Sequence, residues 1–254
     1  MRIDINADLG EGFGPWTMGD DAAMLDLVTT ANIACGFHAG DPETMRRTME
    51  LARERGVAVG AHPGYGDLLG FGRRPQAGVT AREIENLVAY QAGAFLAMAE
   101  LAGHPATHVK THGALGNACA DDDALADAVA RGIRAADPGL AFTVMPGTAT
   151  ERAAERAGLR LIREIYADRT YGDGFNLTPR REPGAVIHDP AEALARVMRM
   201  VGEGRIESTG GKQLAVAIDS VCVHGDTPEA VAMARALRQG LEAAGWTVAA
   251  AVGG

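Results

Sequence analysis

The sequence predicts an α/β fold, a distorted parallel (β/α)7-type barrel, on three observations. Short apolar runs of strand length alternate with amphipathic helical patterns from one end to the other. The chain has 254 residues and no repeat period or compositional break, which suits one β/α barrel domain over 1–254. Polar, glycine-bearing motifs follow nearly every strand, as they would around the C-terminal mouth of a closed ring. A doubly wound open sheet, the alternative, would gather them at one switch point.

In order, residues 2–7 read as the first strand and 8–14 as a loop whose alternate glycines open the backbone to close approach. Residues 28–34 form the second strand, and Asp41-Pro42 opens a helix with an N-cap and a proline at its first position. Met45, Thr48, Met49 and Ala52 give that helix its inner stripe. A third strand at 57–61 ends in His62-Pro63 and leads into the long loop GYGDLLGFGRRPQAG, a length that is usually functional or mobile. Thr80 and Glu83 make a capping box before a helix carried by Ile84, Leu87, Val88, Gln91, Phe95 and Met98. The fourth strand is 107–110, where His108, Lys110 and His112 alternate and share a face if the extended geometry persists. A helix through the 120s and 130s, a fifth strand at 140–145, a short helix at 151–157 and a sixth strand at 159–165 follow. A polar loop then spans 170–187, and Asp189-Pro190 caps a helix with Leu194, Val197, Met198 and Val201 inside. Residues 214–223 read as the seventh strand, Thr227-Pro228 as the start of the last helix, and 246–252 as a final strand.

A net charge of −9 without a Lys/Arg cluster argues against nucleic-acid binding. No segment has the apolar length of a membrane span, and the N-terminus enters a strand pattern directly, so a cytoplasmic location is expected. Three cysteines without CxxC spacing suggest neither a disulfide framework nor a zinc knuckle. Cys35 and Cys222 read as small buried hydrophobes.

The strand ends carry Asp8, Glu11, His38, Asp41, His62, Lys110, His112, Asp168, Arg169, His224 and Asp226. Asp41 and Asp226 are read equally well as helix caps. Four of the seven histidines fall at strand ends; His104, His108 and His188 do not. Arg73 and Arg74, in the long loop, are placed either to clamp a carboxylate or phosphate or to sit in solvent. Carboxylates, imidazoles and a lysine around one mouth imply a hydrolase or a lyase. The mixture also suits a divalent metal, although no HExxH or HxxxH pair fixes one.

Six blocks in order, DINADLGEGFG, ANIACGFHAGDP, VGAHPGYGDLLGFGRRP, KTHGALGN, EIYADRTY and VCVHGDTPEA, resemble the signature blocks of the LamB/YcsF family. Thr111 stands where that family usually has Pro, and Gly116 where it usually has Tyr; both are placed in the loop after the fourth strand. The resemblance implies a barrel similar to the glycoside hydrolase/deacetylase superfamily. It also implies the role of the A component of an ATP-hydrolysing 5-oxoprolinase, which works with subunits B and C to open 5-oxo-L-proline to L-glutamate. ATP, with Mg, is then a co-substrate. No Walker A sequence is present, so ATP binding is expected at least partly on the partners. On this reading Asp8 or Glu11 is the general base or binds a cation, and one of His38, His62, His112 and His224 is the general acid. Lys110, with Arg73 or Arg169, holds phosphoryl or carboxylate charge. Asn6, Asn32, Arg73, Arg74 and Arg169 are expected on the substrate, and any protein-bound metal on Asp8, His62 and His112. A homo-oligomer stays open. Two other readings stay open as well: a stand-alone metal-dependent deacetylase or amidohydrolase, and a non-catalytic regulatory subunit that binds a small carboxylate.

Overall fold

The computed structural model describes residues 1–225 and 229–252. Its strands are β1 (Arg2–Leu9), β2 (Thr30–Ala34), β3 (Ala58–His62), β4 (Ala106–Lys110), β5 (Ala141–Val144), β6 (Leu161–Tyr166), β7 (Arg205–Glu207), β8 (Gln213–Ala215), β9 (Ser220–His224) and β10 (Thr247–Val248). The helices are α1 (Asp21–Leu25), α2 (Pro42–Glu54), α3 (Ala81–Ala102), α4 (Gly113–Asp121), α5 (Asp123–Ala136), α6 (Ala149–Ala157), α7 (Pro190–Glu203) and α8 (Ala230–Ala243).

Strands β1 to β6 pair in parallel in chain order, β9 joins β6, and β9 returns to β1, which closes a seven-stranded barrel. The predicted barrel is therefore the observed one. β10 pairs only with Arg2 and Ile3, at the entry end of β1.

Alternation along β1 sets the two environments. Ile3, Ile5, Ala7 and Leu9 join the apolar core, whereas Asp4, Asn6 and Asp8 bond to residues of other strands across the lumen. A lumen lined this way is polar, unlike the branched aliphatic filling usual in β/α barrels. The expected stripe of α2 is buried together with Thr44, and the capping box of α3 is formed in both directions. On α7 the innermost residues are Ala193, Val197 and Met200; Leu194, Met198 and Val201 flank them, half-buried.

Three expectations change. The run 214–223 is not one strand: Gln213–Ala215 pairs antiparallel with Arg205–Glu207 as a hairpin, and the barrel strand begins only at Ser220. Asp219 and Ser220 interrupt the apolar pattern where the partner changes, and periodicity records a face and not a neighbour. Helix α4 follows β4 almost at once, so Gly116 is helical rather than in a loop. A Cβ at Gly116 would stand 3.1 Å from the Thr111 carbonyl and 3.2 Å from its hydroxyl, so the two departures from the family pattern touch each other. The final strand is confined to Thr247–Val248. The expected helix start at Thr227 and Pro228 lies outside the described residues, and α8 is described from Ala230.

Candidate active site

Lys110 occupies the lumen. Its Nζ lies 3.1 Å from Asp8 Oδ1, 3.0 Å from Glu164 Oε2, 3.2 Å from Asn6 Oδ1 and 3.0 Å from Cys222 Sγ. Burial would lower this amine, but Asp8 and Glu164 hold it well above its ordinary value, so it is a buried cation. Asp8 shows the converse balance: burial would raise its carboxyl, and His62 and Lys110 keep it well below the usual carboxylate range. Two amides fix this pair. Asn32 Nδ2 donates to Asp8 Oδ1 (2.9 Å) and to Asn6 Oδ1 (2.8 Å), and Asn6 Nδ2 donates to Ser220 Oγ (2.7 Å). His108 donates from Nε2 to Asn32 Oδ1 (2.8 Å), and burial pushes its pKa down to about 3. The ring lies over Gly60, where a Cβ would come within 2.4 Å of it.

At the mouth above this column, the ligand atoms of Glu11, His38, His62 and His112 all lie within 4.8 Å of one another, and all four residues are buried. His62 Nδ1 donates to the Lys110 carbonyl (2.7 Å) and His112 Nε2 to the Phe71 carbonyl (2.8 Å). The remaining nitrogens, His62 Nε2 and His112 Nδ1, face each other at 3.0 Å. His38 stacks on His112 with ring centroids 3.7 Å apart, and its Nε2 is 3.2 Å from Glu11 Oε1. Burial, reinforced by the neighbouring imidazoles, holds both His38 and His112 well below the ordinary histidine value and keeps them neutral.

Backbone geometry builds the cluster. The loop after β3 folds back so that Phe71, with φ of 54°, presents its carbonyl to His112 and its ring edge-on to His38 and His112. Gly72 follows with φ of +60°, where a Cβ would stand 2.7 Å from His38 Cβ. Gln91 of α3 anchors the same loop, accepting from Gly64 N (3.0 Å) and donating to Gly64 O (2.9 Å).

A second pair stands across the mouth. Asp168 Oδ2 is 2.6 Å from His224 Nδ1, and its Oδ1 is buried without a hydrogen-bond partner. Burial would raise this carboxyl, yet His224 keeps it below its ordinary value. The Tyr166 ring stacks on His224 at 5.5 Å, and its hydroxyl donates to Glu164 Oε1 (2.9 Å). This arrangement orients His224 from one nitrogen and leaves the other for proton exchange.

The remaining expected residues are distributed differently. Asp41 caps α2, accepting from Glu43 N (2.9 Å), Thr44 N (3.0 Å) and Gly14 N (2.9 Å), which ties the loop after β1 to the helix. Arg74 pairs with Asp67 of its own loop and is exposed. Arg73 sits over the Phe71 ring, 4.8 Å from its centroid, beside the histidine cluster. Arg169 donates to the Thr178 (2.6 Å) and Ala185 (3.2 Å) carbonyls and so braces the loop after β6. Asn6 and Asn32 lie inside the barrel, where their amides hold Asp8 and Lys110 in place. Of the trio expected to hold a metal, His62 and His112 are in the cluster; Asp8 is paired with Lys110, and Glu11 and His38 complete the set. Asp226 lies outside the described residues. Sequence reasoning misses Glu164 and Tyr166 altogether, and misses Cys222 and His108 as site neighbours. The available signal was strand alternation, which puts Glu164 and Tyr166 on the lumen face of β6 and Cys222 and His224 on the lumen face of β9.

The LamB/YcsF family profile matches residues 3–253. The 5-oxoprolinase A component of Rhodopseudomonas palustris is 57% identical over 249 residues, 98% of each chain. The corresponding 5-oxoprolinase A component of Nitrobacter hamburgensis is 54% identical over 249 residues, again 98% of each chain. Among solved structures, the lactam utilization protein from Thermus thermophilus superposes with a TM-score of 0.91 at 45% identity, covering 98% of this chain and 100% of that one. A family 4 carbohydrate esterase from Streptomyces lividans, at 10% identity and a TM-score of 0.50 over 97% of this chain and 91% of its own, shares the fold alone.

Proposed function

From the premise that the chain belongs to the LamB/YcsF family, we propose that it is the A component of an ATP-dependent 5-oxoprolinase. In that role it opens the lactam of 5-oxo-L-proline to L-glutamate together with subunits B and C. The observation that carries this reading is 57% identity, over 98% of both chains, to a relative named as the A component of 5-oxoprolinase.

The site chemistry supports it. A five-membered lactam is a resonance-stabilised amide, so its cleavage needs an activated carbonyl and a proton on the departing nitrogen. Transfer of the γ-phosphoryl of ATP to the lactam oxygen releases ADP and supplies the activation. Water then adds to the carbonyl carbon, the ring C–N bond breaks to leave an acyl phosphate, and a second water cleaves that acyl phosphate to glutamate and phosphate. Asp8, held ionised by His62 and Lys110, takes the proton from water. His224, oriented by Asp168, gives one to the nitrogen. Arg73, beside the cluster, faces the substrate carboxylate or the phosphoryl group.

The test is ADP and glutamate release from 5-oxoproline by this chain with and without subunits B and C. Coupled release is expected only from the full set. Asp8→Asn and His224→Gln, each folded by circular dichroism, are expected to lower kcat by about 10²–10⁴-fold. Coupled turnover at the wild-type rate in both variants, or in a B–C mixture lacking this chain, overturns the assignment. The cluster of Glu11 and three histidines favours one second reading, a metal-dependent amidohydrolase acting alone. Amide cleavage by the isolated chain without ATP would support it.

A further inference from the structure

We propose that Glu11, His38, His62 and His112 bind one divalent first-row transition-metal ion. The chemistry of the donors carries the inference before their geometry does. The Lys110 carbonyl takes the proton of His62 Nδ1, and the Phe71 carbonyl takes that of His112 Nε2, because a carbonyl can only accept. The other nitrogen of each ring turns inward, and the two face each other at 3.0 Å. Glu11 Oε1 stands 3.5 Å from His112 Nδ1, and Asp8 Oδ2 stands 3.3 Å from His62 Nε2. The ligand atoms of Glu11, His38, His62 and His112 therefore converge on one small buried volume, an arrangement that a positive charge among them would stabilise.

Three of the six separations within the set are close to those around an ion, and all six lie within 4.8 Å. Ligands about 2.0–2.1 Å from a tetrahedral zinc stand about 3.3 Å apart. The contacts here are 3.0 Å between His62 and His112, 3.5 Å between His112 and Glu11, and 3.2 Å between His38 and Glu11. Carbonyls holding the far nitrogens of His62 and His112 are the usual means of fixing the tautomer and aim of a metal-binding imidazole. His38 turns Nε2 towards Glu11 Oε1 at 3.2 Å, while its buried Nδ1 has no hydrogen-bond partner. Gly64 and Gly72 leave room for the stacked rings: a Cβ would stand 2.8 Å from His38 Nδ1 at Gly64 and 2.9 Å from His112 Cδ2 at Gly72. Three imidazoles and one carboxylate select zinc, manganese, iron or cobalt over magnesium or calcium, which prefer oxygen. Such an ion would polarise a carbonyl oxygen brought to the mouth. Asp8 borders the set: Lys110 and Asn32 occupy its Oδ1, and its Oδ2 lies 3.3 Å from His62 Nε2.

The competing arrangement is a proton on His62 Nε2, shared with His112 or Asp8. The full-length chain, stripped by chelation, is titrated with Zn²⁺ by calorimetry and with Co²⁺ by visible absorption. One ion per chain is expected, with the intense visible bands of tetrahedral Co²⁺. Glu11→Gln and His62→Gln are expected to weaken Zn²⁺ binding at least 10-fold. His104→Gln, whose ring bonds the Val57 carbonyl away from the mouth, is expected to leave it unchanged. Absence of one-to-one binding of Zn²⁺, Mn²⁺ and Co²⁺ by the folded wild type overturns the site, as does unchanged affinity in both variants. Nitrogen-15 NMR of the wild type with Zn²⁺ decides even where a variant misfolds: a His62 ring protonated at both nitrogens refutes the ion. Binding is read without turnover, so a negative result leaves the lactam assignment standing.

Discussion

Lys110 shows how a single residue is committed by its surroundings. Its ammonium lies between the Asp8 and Glu164 carboxylates, with both acids buried. Removing the cation leaves two buried negative charges facing each other, the situation in which one half of an ion pair is most costly to lose. Lys110→Met is expected to destabilise the chain by about 3–5 kcal/mol in urea unfolding. A loss under about 1 kcal/mol would mean that the pair is solvated. Gly60 is constrained for a steric reason. A Cβ there would penetrate the His108 ring, which holds Asn32, which in turn holds Asp8. Gly60→Ala is therefore expected to lower stability by about 1–3 kcal/mol through overpacking. It is also expected to depress turnover, whereas Gly93→Ala, in open space on α3, should be neutral or stabilising.

Between elements, Asp41 illustrates how a strand-end carboxylate can be used up by architecture. Its oxygens take the first free N–H groups of α2 and one N–H of the loop after β1, which fixes how that loop approaches the mouth where Glu11 sits. Asp41→Ala is expected to cost about 1–2 kcal/mol of stability by loss of the cap. Asn retains a capping oxygen, so Asp41→Asn should keep both the unfolding midpoint and most of the coupled turnover. A large fall in kcat for Asp41→Asn at unchanged stability would return Asp41 to the chemistry. The loop after β6 is likewise an element in its own right. Tyr171 is fully buried with its hydroxyl accepting from Tyr166 N (2.8 Å), and Arg169 braces two carbonyls farther along.

For the whole molecule, the buried ionisable groups set how stability follows pH. In the metal-free chain His38 and His112 have native values below their unfolded value near 6.5. Below that pH the unfolded chain takes up protons that the native state refuses, so stability falls as pH drops from about 6.5 towards 5. The slope approaches about 1.4 kcal/mol per pH unit for each ring. Asp8, also lowered, contributes stability that is full above about pH 4 and is lost as pH falls through its native value. Lys110, raised, contributes stability that is full below about pH 10 and is lost as pH climbs through its native value. Urea unfolding of chelated protein at pH 7 and pH 5 checks the histidine part, and equal stability at the two would contradict it. No helix of the described residues is long and apolar enough to cross a membrane.

The sequence by itself determined the alternation of strands and helices, the inner stripes of α2 and α3, the α3 capping box, and the mouth as the place where polar residues collect. All of these are local periodicities or contacts between neighbours, and local order is what a linear pattern records. Tertiary structure alone decided which carboxylates do what. Asp8 meets Lys110 from 102 positions away, Asn6 meets Glu164 across 158, and His224 meets Asp168 across 56. The same closure separated Glu11, which joins three histidines, from Asp41, which caps a helix, although both follow early strands in glycine-bearing motifs. It also split the run 214–223 between a hairpin and the barrel, since a strand pattern does not specify which strand it pairs with. A strand's period tells which side chains face inward. Only the closed ring tells what they face, because each lumen residue takes its charge state and its partner from strands distant in sequence.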